Sequence, residues 1–73
     1  MTHELDVRGL ACPLPVLRAK KRLKELAAGD LLVVRATDPA AAGDFAAFCE
    51  LTGHELVASR AEGDVFVFEI RRA

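Results

Sequence analysis

This chain predicts an α+β fold: a two-layer α/β sandwich with element order β-α-β-α-β-β. Three observations carry that prediction. Apolar runs of strand length, alternating or continuous, lie at 4–8, 31–36, 54–60 and 64–71. Two longer segments between the first three runs repeat apolar residues at helical spacing. The gap between the last two runs is so short that only a hairpin fits. Two helices as right-handed crossovers and a terminal hairpin fold into one two-layer unit. Hydrophobic residues are 52% of the 73, enough for one core, so a single domain over 1–73 is expected.

Each element has its own signal. Residues 4–8 alternate apolar and polar, as a half-buried strand does. Residues 13–27 read as the first helix: Val16, Ala19, Leu23, Leu26 and Ala27 fall on one side, and Gly29 ends the segment. Residues 31–36 (Leu-Leu-Val-Val-Arg-Ala) are a buried strand. Asp38 reads as the cap of the second helix, with Pro39 in its first position. That helix runs to about Leu51 and Gly53 closes it, although Gly43 costs it roughly 1 kcal/mol against alanine. Strands at 54–60 and 64–71 are joined by Ala61-Glu62-Gly63.

Composition narrows the function classes. Ten basic and eleven acidic residues leave the chain nearly neutral. No apolar run approaches a membrane span, and Met1-Thr2-His3-Glu4 does not open a secretion signal. Two cysteines 37 residues apart then fit a reducing cytoplasm better than a disulfide scaffold. No glycine-rich phosphate loop follows a strand, and nothing marks a catalytic triad. His3, in a tail expected to be mobile, and His54 make no metal-ligand spacing with a cysteine or a carboxylate pair.

The chemistry concentrates at Cys12, in Arg8-Gly9-Leu10-Ala11-Cys12-Pro13-Leu14-Pro15. Prolines are tolerated in the first helical turn, where backbone N–H groups have no partner inside the helix. So Pro13 reads as the first helical residue and Cys12 as the N-cap. The thiol would then lie at the positive end of the helix dipole, which favours the thiolate. Serine, threonine, aspartate or asparagine would cap better, so the sulfur is wanted for itself.

These residues resemble a known family. Leu5-Asp6-Val7-Arg8-Gly9-Leu10-Ala11-Cys12-Pro13-Leu14-Pro15 is similar to the start of the TusA-like (SirA-like) sulfur-carrier proteins, whose hallmark is a Cys-Pro-x-Pro motif. Thr37-Asp38-Pro39-Ala40 resembles the family's second helix start, and Phe48-Cys49 and His54-Glu55-Leu56-Val57 are also similar. The likeness runs from about Leu5 to Arg71. It implies a four-stranded mixed sheet in order 1-2-4-3 with both helices on one face. It also implies a small sulfurtransferase that carries sulfur as a persulfide on Cys12. The donor would be a cysteine desulfurase or a rhodanese-type protein, the acceptor a protein with a reactive cysteine, and no cofactor is needed. The free position of the motif is Leu14, where some members carry an acid.

Other residues have two readings. Cys49 shares a helical face with Ala41, Phe45 and Phe48, so it reads as a small core hydrophobe rather than a resolving thiol. Arg8, Arg18, Lys20, Lys21, Arg22 and Lys24 form a basic run from 8 to 24 without an acid. Arg18, Lys21 and Arg22 lie opposite the apolar stripe, as a solvated face or as a platform that steers acidic partners and helps hold Cys12 as an anion. Lys20 should snorkel from the stripe's edge. Leu10, Leu14 and Leu17 suggest an apolar rim for docking. Gly9, Pro13 and Pro15 would fix the backbone around the thiol.

Two function classes follow. One is a sulfur carrier acting through Cys12, expected to be a monomer. The other is a non-catalytic regulatory or binding module whose basic helix contacts an acidic protein or RNA. The lack of Trp and Tyr for base stacking weakens the RNA version. Cys12 discriminates them: a carrier loses everything without it, a module little.

Overall fold

The structure, a computed structural model, describes residues 1–73. Its elements are β1 (Thr2–Val7), α1 (Leu14–Lys24), β2 (Leu31–Ala36), α2 (Ala41–Thr52), β3 (Glu55–Glu62) and β4 (Val65–Arg71). The sheet order is β1-β2-β4-β3. β1 and β2 are parallel, and the other two pairings are antiparallel. This is the expected mixed sheet, with both helices on one face.

One core lies between the layers. Val7, Leu32, Val34, Ala36, Phe68 and Ile70 point inward from the sheet. Ala19 and Leu23 of α1, and Ala41, Phe45, Phe48 and Cys49 of α2, meet them. Phe45 and Phe68 are fully buried, their ring centroids 4.8 Å apart. The outer face has no second layer. There Val67 is 0% exposed although it lies outside that core. Arg35 and Arg60 flank it in register on the neighbouring strands, where their long stems can cover it. Arg35 pairs with Glu4, and Arg60 with Glu62 at 2.8 Å and Glu69 at 2.6 Å.

Several boundaries differ from expectation. β1 starts at Thr2, and its tail is tied down: Met1 meets Asp30 at 2.9 Å and His3 Nε2 lies 3.2 Å from the same carboxylate. α1 is shorter than 13–27. Its last turn tightens as the Glu25 and Leu26 N–H groups bond the Arg22 and Leu23 carbonyls. Leu26 still reaches the core, but Ala27 is exposed. α2 begins at Ala41, after a turn over Pro39 and Ala40, so Asp38 stands outside the helix. Gly53 does close α2, at φ +82°, donating to the Cys49 carbonyl at 2.9 Å. The hairpin connection is Gly63-Asp64, because Ala61 and Glu62 still pair with β4. Gly63 has φ +64° and Asp64 has no positive φ, the type II′ pattern that suits strand twist.

Gly43 is a helical residue without positive φ, and a Cβ there meets nothing within 4 Å. Gly43→Ala should therefore raise stability by about 0.4–1 kcal/mol, chiefly by restricting the unfolded chain. Urea unfolding would show it as a higher midpoint at constant slope. A lower midpoint would mean the helix needs glycine at that point.

Candidate functional site

Parallel β1 and β2 release the chain at the same edge of the sheet, so the loops that follow them are neighbours. Two hydrogen bonds join those loops. The Gly9 N–H donates to Thr37 Oγ1 at 2.9 Å, with Gly9 at φ +81°. The Cys12 N–H donates to Asp38 Oδ2 at 2.6 Å. The other Asp38 oxygen accepts the Ala40 N–H at 3.1 Å. Read from sequence as a helix cap, Asp38 thus ties the cysteine loop to the approach to α2.

Cys12 is exposed, yet it does not cap α1. The first helical bond runs from the Leu17 N–H to the Pro13 carbonyl at 3.2 Å, which makes Pro13 the N-cap. The proline argument holds one residue later, with Pro15 in the first turn. The expected bias toward thiolate is reversed. The Asp44 carboxylate, in the same groove, favours the neutral thiol and pushes it up. Desolvation and the charges of Asp44 and Asp38 add to the same shift. Helix-dipole effects fade within the first turn, and Cys12 stands one residue outside the cap.

From Cys12 an open groove of about 290 Å³ runs between the helices. Pro13 and Val16 form one wall; Asp44, Ala47, Phe48 and Leu51 form the other. Apart from Cys12 and Asp44 its lining is apolar. Leu51 is 86% exposed at its rim. Asp44, Ala47, Phe48 and Leu51 are spaced i, i+3, i+4, i+7, one helical face. From sequence Phe48 reads as core and Leu51 as the helix end, and the same spacing is the signal that groups them with Asp44 and Ala47. No three His, Cys, Asp or Glu side chains converge to hold a metal ion.

The remaining residues singled out from sequence scatter around this groove. Arg8 is engaged elsewhere: its guanidinium grips Asp6 through two bonds of 2.9 Å and lowers that carboxyl to about 2. Leu10 is half-buried against the core, so it is not part of an exposed rim. Pro15 is buried and cannot touch a partner. Pro13 is exposed, as are Leu14 and Leu17 at 43% and 52%. Arg18 and Lys21 are exposed and enter no ion pair, while Arg22 lies 3.8 Å from Glu25. None of these cations lines the groove, and the upward shift of Cys12 runs against its being held as an anion. Lys20 lines a smaller basin of about 150 Å³ with Lys24, His54 and Arg72, over Leu23, Phe48 and Thr52. His54 Nδ1 accepts the Ala73 N–H at 3.0 Å, and His54 does not line the Cys12 groove. Cys49 is 4% exposed, and burial pushes its thiol up, as a core hydrophobe requires.

The two thiols should therefore separate cleanly. Iodoacetamide should modify Cys12 in the folded protein, faster as pH rises and the thiolate appears. Cys49 should react only on unfolding. Peptide mass mapping of timed samples checks this, and equal rates in the folded state would contradict the assignment.

Comparison with known proteins places the chain. Residues 3–72 match the family model described as Sulfurtransferase TusA. The chain is 51% identical over 71 residues to the sulfur carrier protein TusA of Allochromatium vinosum, covering 97% of this chain and 93% of the relative. It is 48% identical over 69 residues to the protein of that name from Pseudomonas syringae pv. syringae, covering 94% and 82%. The crystal structure of a SirA-like protein from Desulfitobacterium hafniense superposes with a TM-score of 0.83 at 28% identity, covering 94% of this chain and 95% of that one. With a matching fold, a family model spanning nearly every residue and relatives at about half identity, the chain belongs to the TusA sulfurtransferase family.

Proposed function

We propose that this sulfur carrier holds its cargo as a persulfide on Cys12 and works as a sulfurtransferase between two partner proteins, with residues 1–73 as one carrier unit. One observation supports this reading above the others: Cys12 is the exposed thiol of the pair and lines an open groove, while Cys49 is sealed in the core. A carrier needs a thiol that meets other proteins and has no partner within its own chain.

The chemistry balances without a cofactor. The Cys12 thiolate attacks the outer sulfur of a donor persulfide. The donor's S–S bond breaks and its inner sulfur leaves as a thiolate, which recovers the proton that Cys12 gave up. Cys12 then carries the S–SH group. An acceptor thiolate attacks that outer sulfur in turn, and Cys12 leaves as the thiolate. Oxidation level is conserved at each step, because one sulfane sulfur simply changes hands. A cysteine desulfurase or a rhodanese-type protein suits the donor role, and a protein with a reactive cysteine the acceptor role. A reducing cytoplasm suits an exposed lone thiol, which stays unpaired there. No helix is long and apolar enough to cross a membrane.

The docking surface in this reading combines the apolar rim (Leu14, Leu17 and Leu51) with the unpaired cations of α1. Such a surface fits a partner with an apolar centre and an acidic margin.

Incubation with a cysteine desulfurase and cysteine should raise the intact mass by one or more sulfur atoms. A thiol reductant should remove them, and peptide mapping should place them on the Cys12 peptide. Cys12→Ser should not load; loading to the wild-type extent, or sulfur found mainly on Cys49, would sink the mechanism and leave a binding module. Charge reversal at Arg18, Lys21 and Arg22 should slow association with the donor more than it speeds dissociation, and added salt should weaken the wild-type rate. Stopped-flow or surface binding kinetics would read both, and an unchanged association rate at low salt would reduce the basic run to a solvated face.

A further inference from the structure

We propose that Asp44 is a positioning residue that keeps the Cys12 thiol protonated in the free carrier, a lock that opens to positive charge. The role rests on Cys12 being the sulfur-bearing thiol. Three observations support it. Asp44 stands in the first turn of α2 and lines the same groove as Cys12, where it is the one acidic side chain. Asp38, from the loop before α2, adds a second carboxylate against the Cys12 backbone. Neither acid forms an ion pair within the chain.

The other groups around the thiol cannot offset them. α1 contributes Pro13 and Val16, and α2 contributes Ala47, Phe48 and Leu51, all apolar. The nearest basic residue in sequence, Arg8, is bound to Asp6, and no cation lines the groove. A carboxylate that accepts the S–H bond stabilises the thiol and repels the thiolate. The free carrier therefore holds an accessible sulfur with little nucleophilicity at neutral pH. A cationic side chain brought beside Asp44 by a partner would cancel that repulsion and release the thiolate where it is needed.

The test is the pH dependence of Cys12 alkylation by iodoacetamide in full-length protein, in Asp44→Asn, Asp44→Glu and Asp44→Lys. Asp44→Asn should move the rate profile to lower pH and react about three- to tenfold faster at pH 7, since the gain in thiolate exceeds the loss of nucleophilicity. Asp44→Lys, which places a cation at that position, should react faster still. Asp44→Glu should stay near the wild-type profile. Added salt should speed the wild type, and Asp44→Asn by less, since Asp38 remains in place. Thermal melts above the assay temperature exclude unfolding as the cause of any gain. An Asp44→Asn profile that overlays the wild type overturns the lock, even if wild-type Cys12 loads sulfur normally. Failure of wild-type Cys12 to load would instead defeat the carrier reading, whatever the profiles show.

Discussion

The Asp38 carboxylate is the interaction on which the site depends. It holds the Cys12 N–H with one oxygen and the Ala40 N–H with the other. The two donors come from loops far apart in sequence, brought together because β1 and β2 run parallel. Hydrogen bonds to a charged acceptor contribute about 1.5–3 kcal/mol each, less where solvent reaches them. Their more important effect is geometric: they set where Cys12 stands relative to α2, and so which side chains of α2 it meets. Thr37 repeats the device one residue earlier by accepting the Gly9 N–H.

That geometry divides the helical surface into two electrostatic zones. Carboxylates gather around the sulfur, and unpaired cations run along α1 away from it. Between them lies the apolar groove floored by Phe48, which also lines the basic basin at the far end. The cations in the last turn of α1, Lys21, Arg22 and Lys24, complement its negative end and need no ligand to account for them. Phe48 belongs to the core, so each wall of the groove rests on residues that the fold cannot release.

Much of this was legible in the sequence, for physical reasons that differ by element. Strands and helices announced themselves by the period of their apolar residues, and Gly53 by its place after the last helical turn. The burial of Cys49 followed from sharing a face with Ala41, Phe45 and Phe48. What failed were statements about helix starts and about charge. Pro13 can be either the first helical residue or the cap, since its missing N–H is harmless in both places. Asp38 can cap a helix or cross-link two loops, and sequence spacing does not distinguish these roles. The charge beside Cys12 comes from Asp44, 32 positions away, which the packing of the helices brings to the same groove. Basic residues close in sequence leave an anion-holding platform open as one reading, because spacing along a helix does not give distance to the sulfur.

The uncovered side of the sheet has a consequence for how the molecule behaves in a crowd. β3 is an edge strand, and an edge strand offers unpaired backbone groups to any other strand. Here Val57 interrupts the ladder as an extra residue between Leu56 and Ala58, which bends and twists that edge. Farther along, Arg60 and Glu62 hold charge on the same strand, bound to each other. A strand from a second copy would meet broken register and would have to desolvate that ion pair. The chain thus guards its open flank against edge-to-edge stacking, a liability that grows with concentration and with partial unfolding.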